Sequence, residues 1–336
     1  MKIIIDAMGG DNAPLAQVKG AVMAKKEFGC DLLFVGDREK LVPLLKEEGL
    51  SEADYELEHT DVTLHTEEDP FLVVKGKRDS SMGKALDLLK DGRGDALVSS
   101  GNTGALLTGA QLIVKRIKGV RRAALAPILP TKKGGALLID CGATAEGTPE
   151  YLEQFALMGS RYVSFTLGKK SPRVGLLNNG AEETKGDDLR KETYQLLKKD
   201  AEEGKLNFAG NVEARDVTDG DFDVIVADGF TGNVLMKGME GMALYISGLL
   251  KDMFYKNLGT KLVGLLMKKR IGVLRASIDY KEVGGAPLIG VQKPVIKAHG
   301  SANAYAFRSA IHQAMDYASS GFIDVLTNEL KESKES

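Results

Sequence analysis

The sequence predicts an α/β fold, a doubly wound and mostly parallel sheet, on two observations. Six short apolar runs recur between helical stretches: Ile3 to Ile5, Leu32 to Val35, Ala96 to Ser99, Ala136 to Ile139, Val174 to Leu177 and Val224 to Ala227. Runs that are apolar at odd and even positions alike are buried on both faces, as strands of a helix-covered parallel sheet are. Several of them also end in small or polar residues that lead into a helix: Asp6 to Asp11, Ser99 to Gly104 and Asp228 to Asn233. In that layout ligands sit at the carboxyl ends of the strands. No clean linker interrupts the rhythm. Residues 1–330 therefore read as one α/β unit with a cleft between two lobes, and 331–336 as a frayed polar tail.

Composition narrows the class. The chain has 336 residues, 43% apolar and 27% charged, which is ample to bury one large core or two smaller ones. Forty-five Lys and Arg against 47 Asp and Glu leave a net charge of −2, which argues against a broad nucleic-acid surface and makes any anion site local. Cys30 and Cys141 stand outside any C-x-x-C pattern, which suits a reducing cytoplasm and offers no zinc site. The run Ile3 to Ile5 is too short for a signal peptide, and nowhere do eighteen apolar residues follow one another, so the chain is expected to be cytoplasmic and at most peripheral to a membrane. Glycine is in excess, 39 residues of 336 against a usual ~7%.

Two segments depart from the strand and helix rhythm. Val234 to Asn257 is helical in character with a wide apolar face, which predicts packing against something besides the sheet, such as a second subunit. Leu258 to Arg275 mixes apolar residues with Lys261, Lys268, Lys269 and Arg270, and residues 251–275 carry seven basic residues and one Asp. Together 234–275 read as a protruding helical hairpin for dimerisation or membrane contact, with Gly259, Gly264 and Gly272 as candidate helix breakers.

The common cofactor signatures are missing: there is no G-x-x-x-x-G-K-[ST], no G-x-G-x-x-G after the first strand and no H-E-x-x-H. What remains is a set of glycine-rich turns from strand to helix. Glycine lets backbone N–H groups approach a ligand, and a helix N-terminus adds about half a positive charge, so such turns suit phosphate or an oxyanion. Ser99-Ser100-Gly101-Asn102-Thr103-Gly104 and Asp228 to Asn233 have this form, each read against a plain glycine turn with a helix cap. Gly9-Gly10-Asp11-Asn12 serves either close packing or a ligand. Lys185, in a polar loop past the Val174 to Leu177 strand, is placed to meet an anion or to be one more solvated lysine. His299 opens a small-residue turn before a helix and reads as either structural or catalytic, whereas His59, His65 and His312 lie in segments with no other signal. Cys141 reads as a buried small thiol.

These turns, taken in order with Asn178 to Gly186, Asp228 to Lys237 and Ala298-His299-Gly300-Ser301, resemble the PlsX family of bacterial phosphate acyltransferases over nearly the full chain. The resemblance implies a Rossmann-like fold related to phosphotransacetylases and isopropylmalate-type dehydrogenases. It implies a homodimer attached to the inner face of the cell membrane, without cofactor or metal. The implied reaction moves a long-chain acyl group from acyl carrier protein to inorganic phosphate, and the acyl phosphate then goes to an acyl-phosphate:glycerol-3-phosphate acyltransferase. By the same resemblance Lys185, His299, Asp228 and Asn233 are the expected catalytic residues. Gly9, Gly10, Asp11, Ser100, Asn102, Thr103, Gly104, Gly232, Ser301 and Asn303 are the expected phosphate or substrate contacts. Leu258, Leu262, Val263, Leu266, Lys268 and Lys269 are the expected membrane contacts. The chain departs from a common family pattern at Ala302, where a serine is usual. Three rivals stand beside this reading: a transferase acting on acyl-coenzyme A, a decarboxylating dehydrogenase of related fold, and a non-catalytic membrane scaffold. The dehydrogenase would need paired metal carboxylates, which the adjacent Asp187 and Asp188 supply poorly.

Overall fold

The computed structural model describes residues 1–257, 259–267, 270 and 284–335. All six apolar runs are strands: β1 (Lys2–Asp6), β2 (Asp31–Gly36), β4 (Ala96–Ser99), β7 (Gly134–Ile139), β8 (Arg173–Asn178) and β10 (Val224–Val226). Six further strands carry weaker patterns. The edge strands β3 (Glu56–His59) and β9 (Asn207–Glu213) are half polar, β5 (Ala124–Leu125) has two residues, and β6 (Ile128–Thr131) contains a proline. The last two are β11 (Gly285–Ile289) and β12 (Val295–Ala298), the second interrupted by Lys297.

The strands form two sheets, ordered β3-β2-β1-β4-β12-β11-β5 and β6-β7-β10-β8-β9. Pairing is mostly parallel, with β11 running antiparallel to β12 and β5, and β6 antiparallel to β7. Alternation along each strand feeds two cores. Ile3 and Ile5 face one apolar cluster with Leu32, Phe34, Ala96 and Val98, while Ile4 faces another with Leu33, Val35 and Leu97. The first cluster also contains Leu137, Ile139, Val224 and Val226 of the second sheet, so both sheets close on one shared core. Each fully buried isoleucine contributes roughly 1.5–3 kcal/mol of transfer free energy, which is why the middle of β1 is wholly apolar.

Helices α1 (Leu15–Phe28), α2 (Arg38–Glu47), α3 (Ser81–Lys90), α4 (Thr103–Gly109), α5 (Pro149–Leu167) and α6 (Asp188–Glu202) connect the strands. The long helix of the expected hairpin is α7 (Gly229–Tyr255), which starts five residues before Val234 because Asp228 caps it. Residues 259–267 are again helical, Gly264 included, so this glycine does not break the helix as anticipated. Leu262, Val263 and Leu266 are exposed there, whereas Leu258, Lys268 and Lys269 lie outside the described residues. No described helix is long and apolar enough to cross a membrane. Helices α8 (Ala304–Ser319) and α9 (Phe322–Glu335) end the chain. Helix α9 runs through Glu335; Phe322 and Leu326 anchor its first half in the shared core and Glu329 pairs with Arg161 on α5 at 2.8 Å.

Helices α1 and α8 cross at Gly20, where an added Cβ would stand 2.6 Å from the Ala304 carbonyl oxygen and 2.9 Å from Cβ of Phe307. Alanine would ordinarily favour a helix by about 1 kcal/mol over glycine, but overpacking of a fitted core costs about 1–3 kcal/mol. Gly20→Ala is therefore expected to lower the urea midpoint with an unchanged m value. A midpoint equal to or above that of the parent would show that the crossing has room.

Candidate functional site

Three turns meet at the carboxyl ends of β1, β4 and β12, neighbours in the first sheet. The chain leaves β1 toward β2 on one side and returns to β4 on the other, so a crevice opens between the β1 and β4 turns. Glycine closes much of it. A Cβ at Gly9 would lie 2.7 Å from Cα of Gly101, and one at Gly10, whose φ is +103°, would lie 2.7 Å from Oγ of Ser100. Ser100 donates to the Gly9 carbonyl at 2.8 Å, buried Gln17 donates to that carbonyl and to Ser100 Oγ, and the Asp11 N–H donates to the Gly300 carbonyl at 2.9 Å. Gly9, Gly10 and Ser100 thus hold the turns together.

Parallel register aligns Asp6, Ser99 and Lys297 in one row across β1, β4 and β12. Ser99 donates to the Asp6 carboxylate at 2.6 Å. Burial pushes the Asp6 carboxyl up, against the lowering pull of the Ser81 and Ser99 hydroxyls and of the Lys297 charge. Lys297 is 7% exposed and donates from Nζ to the Ala298 carbonyl at 2.5 Å. Burial pushes its ammonium down to about 8, although Asp6 and Asp11 pull it upward. Lys297 is the functional candidate that the sequence reading missed. Its signal was a lysine inside an apolar strand run, Val295-Ile296-Lys297-Ala298, directly before His299.

The second sheet contributes the opposite wall. The Asp140 carboxylate, fully buried at the end of β7, accepts N–H bonds from Leu125, Cys141, Ala143 and Thr144 at 2.6–3.2 Å and so shapes the Cys141 to Thr144 loop. Burial raises its carboxyl to about 6 against those bonds. Helix α7 rests on this loop at Gly232, where an added Cβ would stand 2.0 Å from the Asp140 carbonyl oxygen. Gly232 therefore acts in backbone packing. Asp228 caps α7 by accepting the Thr231 N–H at 2.9 Å, and it also accepts from the Thr231 hydroxyl and from Arg190. Burial pushes the Asp228 carboxyl up, but these partners together hold it below the usual range.

Between the walls lies a cavity of about 380 Å³. It is lined by Thr103, Gly104, Lys297, His299 and Gly300 from the first sheet, and by Cys141, Gly142, Asn233, Lys237 and Glu240 from the second. Four of the expected site residues, Thr103, Gly104, Asn233 and His299, thus share one cavity. The Ser301 N–H donates to Nδ1 of His299 at 3.2 Å, and Ser301 Oγ lies 2.9 Å from the same nitrogen. With Nδ1 accepting that N–H, Nε2 is the ring nitrogen that can donate. Asn303 caps α8 at the Ala306 N–H. The Asn102 side chain caps α4 at the Ala105 N–H and donates to the carbonyls of His65, Thr66 and Glu68, so its polar atoms are taken up by the fold.

Lys185 stands elsewhere. It is exposed on the loop after β8, beside a second hollow lined by Asn178, Gly186 and Arg190, and it does not line the cavity that holds His299. The cations on that cavity, among the described residues, are Lys297 and the half-exposed Lys237. Cys141 lines it as well, but burial pushes its thiol up to about 12. That leaves it protonated, not a thiolate nucleophile.

Comparisons with known proteins bear on the family and the fold. A protein of Clostridioides difficile (strain 630) named "Phosphate acyltransferase" is 45% identical over 319 residues, which is 95% of this chain and 93% of that protein. Among solved structures, the EutD phosphotransacetylase from Staphylococcus aureus superposes with a TM-score of 0.59 at 16% identity, covering 95% of this chain and 94% of that one. A 4-hydroxythreonine-4-phosphate dehydrogenase from Klebsiella pneumoniae follows with a TM-score of 0.52 at 14% identity, covering 95% and 99%. At such identities the structural likeness shows the fold alone, an α/β architecture that transferases and dehydrogenases share. Residues 1–325 match the family described as "Fatty acid synthesis protein", and the chain belongs to that family.

Proposed function

We propose that the protein is an acyltransferase that moves a long-chain fatty acyl group from acyl carrier protein to inorganic phosphate, yielding an acyl phosphate and the free carrier thiol. The observation that carries this reading is one cavity at the strand ends where a buried ammonium, an imidazole and an amide converge. Family membership and the names of the curated relatives support the phosphate and acyl halves of the reaction.

The chemistry asks little of the protein beyond placement and charge. Phosphate is largely dianionic near neutral pH and attacks a thioester without a strong base. A phosphate oxygen forms the new C–O bond to the thioester carbon, and the carbonyl oxygen becomes an oxyanion. The C–S bond then breaks as the oxyanion collapses, and the phosphate's proton ends on the departing sulfur. Two anions must be held together, so fixed donors in a water-poor site do most of the catalysis. We assign the Lys297 ammonium, Thr103 and Asn233 to the phosphate and the His299 Nε2–H to the oxyanion. Asp228 positions the first turn of α7, which carries Asn233. Lys185, exposed on the loop after β8, would meet an anionic group of the substrate outside this cavity.

The surface fits the rest of the proposal. Leu244, Tyr245, Leu249 and Met253 on α7, and Leu262, Leu265 and Leu266 beyond it, are all more than half exposed. Apolar area on that scale calls for a covering partner. We assign it to a second copy of the chain and to an anionic membrane surface, where acyl phosphate would pass to a glycerol-3-phosphate acyltransferase.

Two results are expected. The purified protein should release free thiol from palmitoyl-acyl carrier protein only when phosphate is present, with an acyl phosphate trappable by hydroxylamine. Lys297→Met and Lys185→Ala should each lose turnover while unfolding at near-parent urea concentrations, the first by about a hundredfold. Thiol release without phosphate would sink the proposal, and faster release from palmitoyl-coenzyme A would reassign the donor. The second result concerns pH. Lys297 is an ammonium below about 8 and an amine above it, so kcat/KM should fall as pH rises through that value. In Lys297→Arg the guanidinium stays charged, and this alkaline limb should vanish.

A further inference from the structure

The reaction cavity adjoins a second hollow. Met236 and Glu240 line both. The second, of about 510 Å³, runs along α7 under Met236, Met239, Met242 and Ile246, with Leu129 and Pro130 of β6 as the facing wall. Residues 236, 239, 243 and 246 fall on one helical face at spacings of three and four, so the wall is a continuous stripe. From Asn233, in the reaction cavity, to Ile246 the helix advances about 20 Å, long enough for an extended long-chain acyl group.

We infer that this groove on α7 holds the fatty acyl chain of the donor, with the thioester head in the cavity beside His299. The inference rests on the acyl-transfer reading above. Three features choose an acyl chain over other occupants. The groove adjoins the reaction cavity across Met236 and Glu240, so a chain attached to the reacting carbon can reach it over one turn of α7. Its wall carries three methionines, whose unbranched thioethers adapt to a flexible chain without dictating one shape. The boundary between the two spaces is polar. There Glu240 pairs through Oε2 with Lys237 at 2.9 Å, while its Oε1 is buried without a hydrogen-bond partner. An unpaired buried acceptor is costly beside hydrocarbon, so the joint suits a group that can donate, such as an amide N–H of the pantetheine arm, and the apolar tail belongs beyond it.

Ala243 lines the groove, whereas Leu244 is 72% exposed on the neighbouring face. Ala243→Phe should shorten the groove and Leu244→Phe should not. For Ala243→Phe, kcat/KM with hexadecanoyl-acyl carrier protein should fall by about tenfold or more relative to octanoyl-acyl carrier protein, and Leu244→Phe should keep the parent ratio. An unchanged ratio in folded Ala243→Phe, or an equal loss with both donors, overturns the groove. So does an unchanged ratio accompanied by altered sedimentation, which would make this face an interface between copies. Calorimetry with S-hexadecyl-pantetheine, a thioether that cannot react, separates this inference from the reaction itself. Binding to the parent and its loss in Ala243→Phe would uphold the groove even if no acyl phosphate formed. Absence of binding to the parent would remove it even if the transfer reaction stood.

Discussion

The structure depends on backbone meeting backbone at the ends of three neighbouring strands. Gly9 packs on Gly101 with no room for a Cβ, and Gly10 takes a left-handed φ under Ser100 beside the Gly300 carbonyl. Side chains at these positions would hold the β1, β4 and β12 turns apart. Bringing them together places Lys297 and His299 in one wall with Thr103. The glycine excess in the composition thus has a mechanical meaning here: it sets how closely elements from distant parts of the chain approach.

Charge follows from that approach. Asp6, Ser99 and Lys297 share a register row because β1, β4 and β12 are parallel and adjacent. Burying an ammonium is unfavourable unless negative charge is near, and a neighbouring Asp6 offsets part of that cost. An anionic substrate would offset more of it. A cation held partly uncompensated at the floor of a cavity is therefore suited to bind an oxyanion from the outside. The carboxylate of Asp140 does related work in the opposite wall by gathering three N–H groups of the loop on which α7 rests, together with the Leu125 N–H of β5.

Much of the fold was legible in the residues because it rests on local periodicity. Each of the six apolar runs between helical stretches became a strand, and the polar residues that follow Ile5, Val98 and Ala227 became turns or helix caps. The strands that escaped notice are half polar, two residues long or broken by proline, glycine or lysine, so their burial comes from neighbours and not from their own pattern. The site divides the same way. Asn102, Asp228 and Asn303 were visible as polar residues before apolar helices, and all three cap a helix with the side chain. Lys185 and Lys297 could not be ranked from sequence. A lysine in a polar loop looks available, and one inside an apolar strand looks out of place; only the packing shows that the second lines the cavity.

By itself the sequence determined the α/β class, the positions of the six principal strands along the chain and the family resemblance, since each of these is written in short-range pattern. Tertiary structure decided which turns meet, which lysine faces the cavity, and that an apolar groove along α7 adjoins the cavity. Those outcomes depend on strand order and register, which join residues some 290 positions apart, as when the Asn12 side chain donates to the Ala302 carbonyl. No local pattern encodes such a pairing. It follows from burying both faces of two sheets against one shared core.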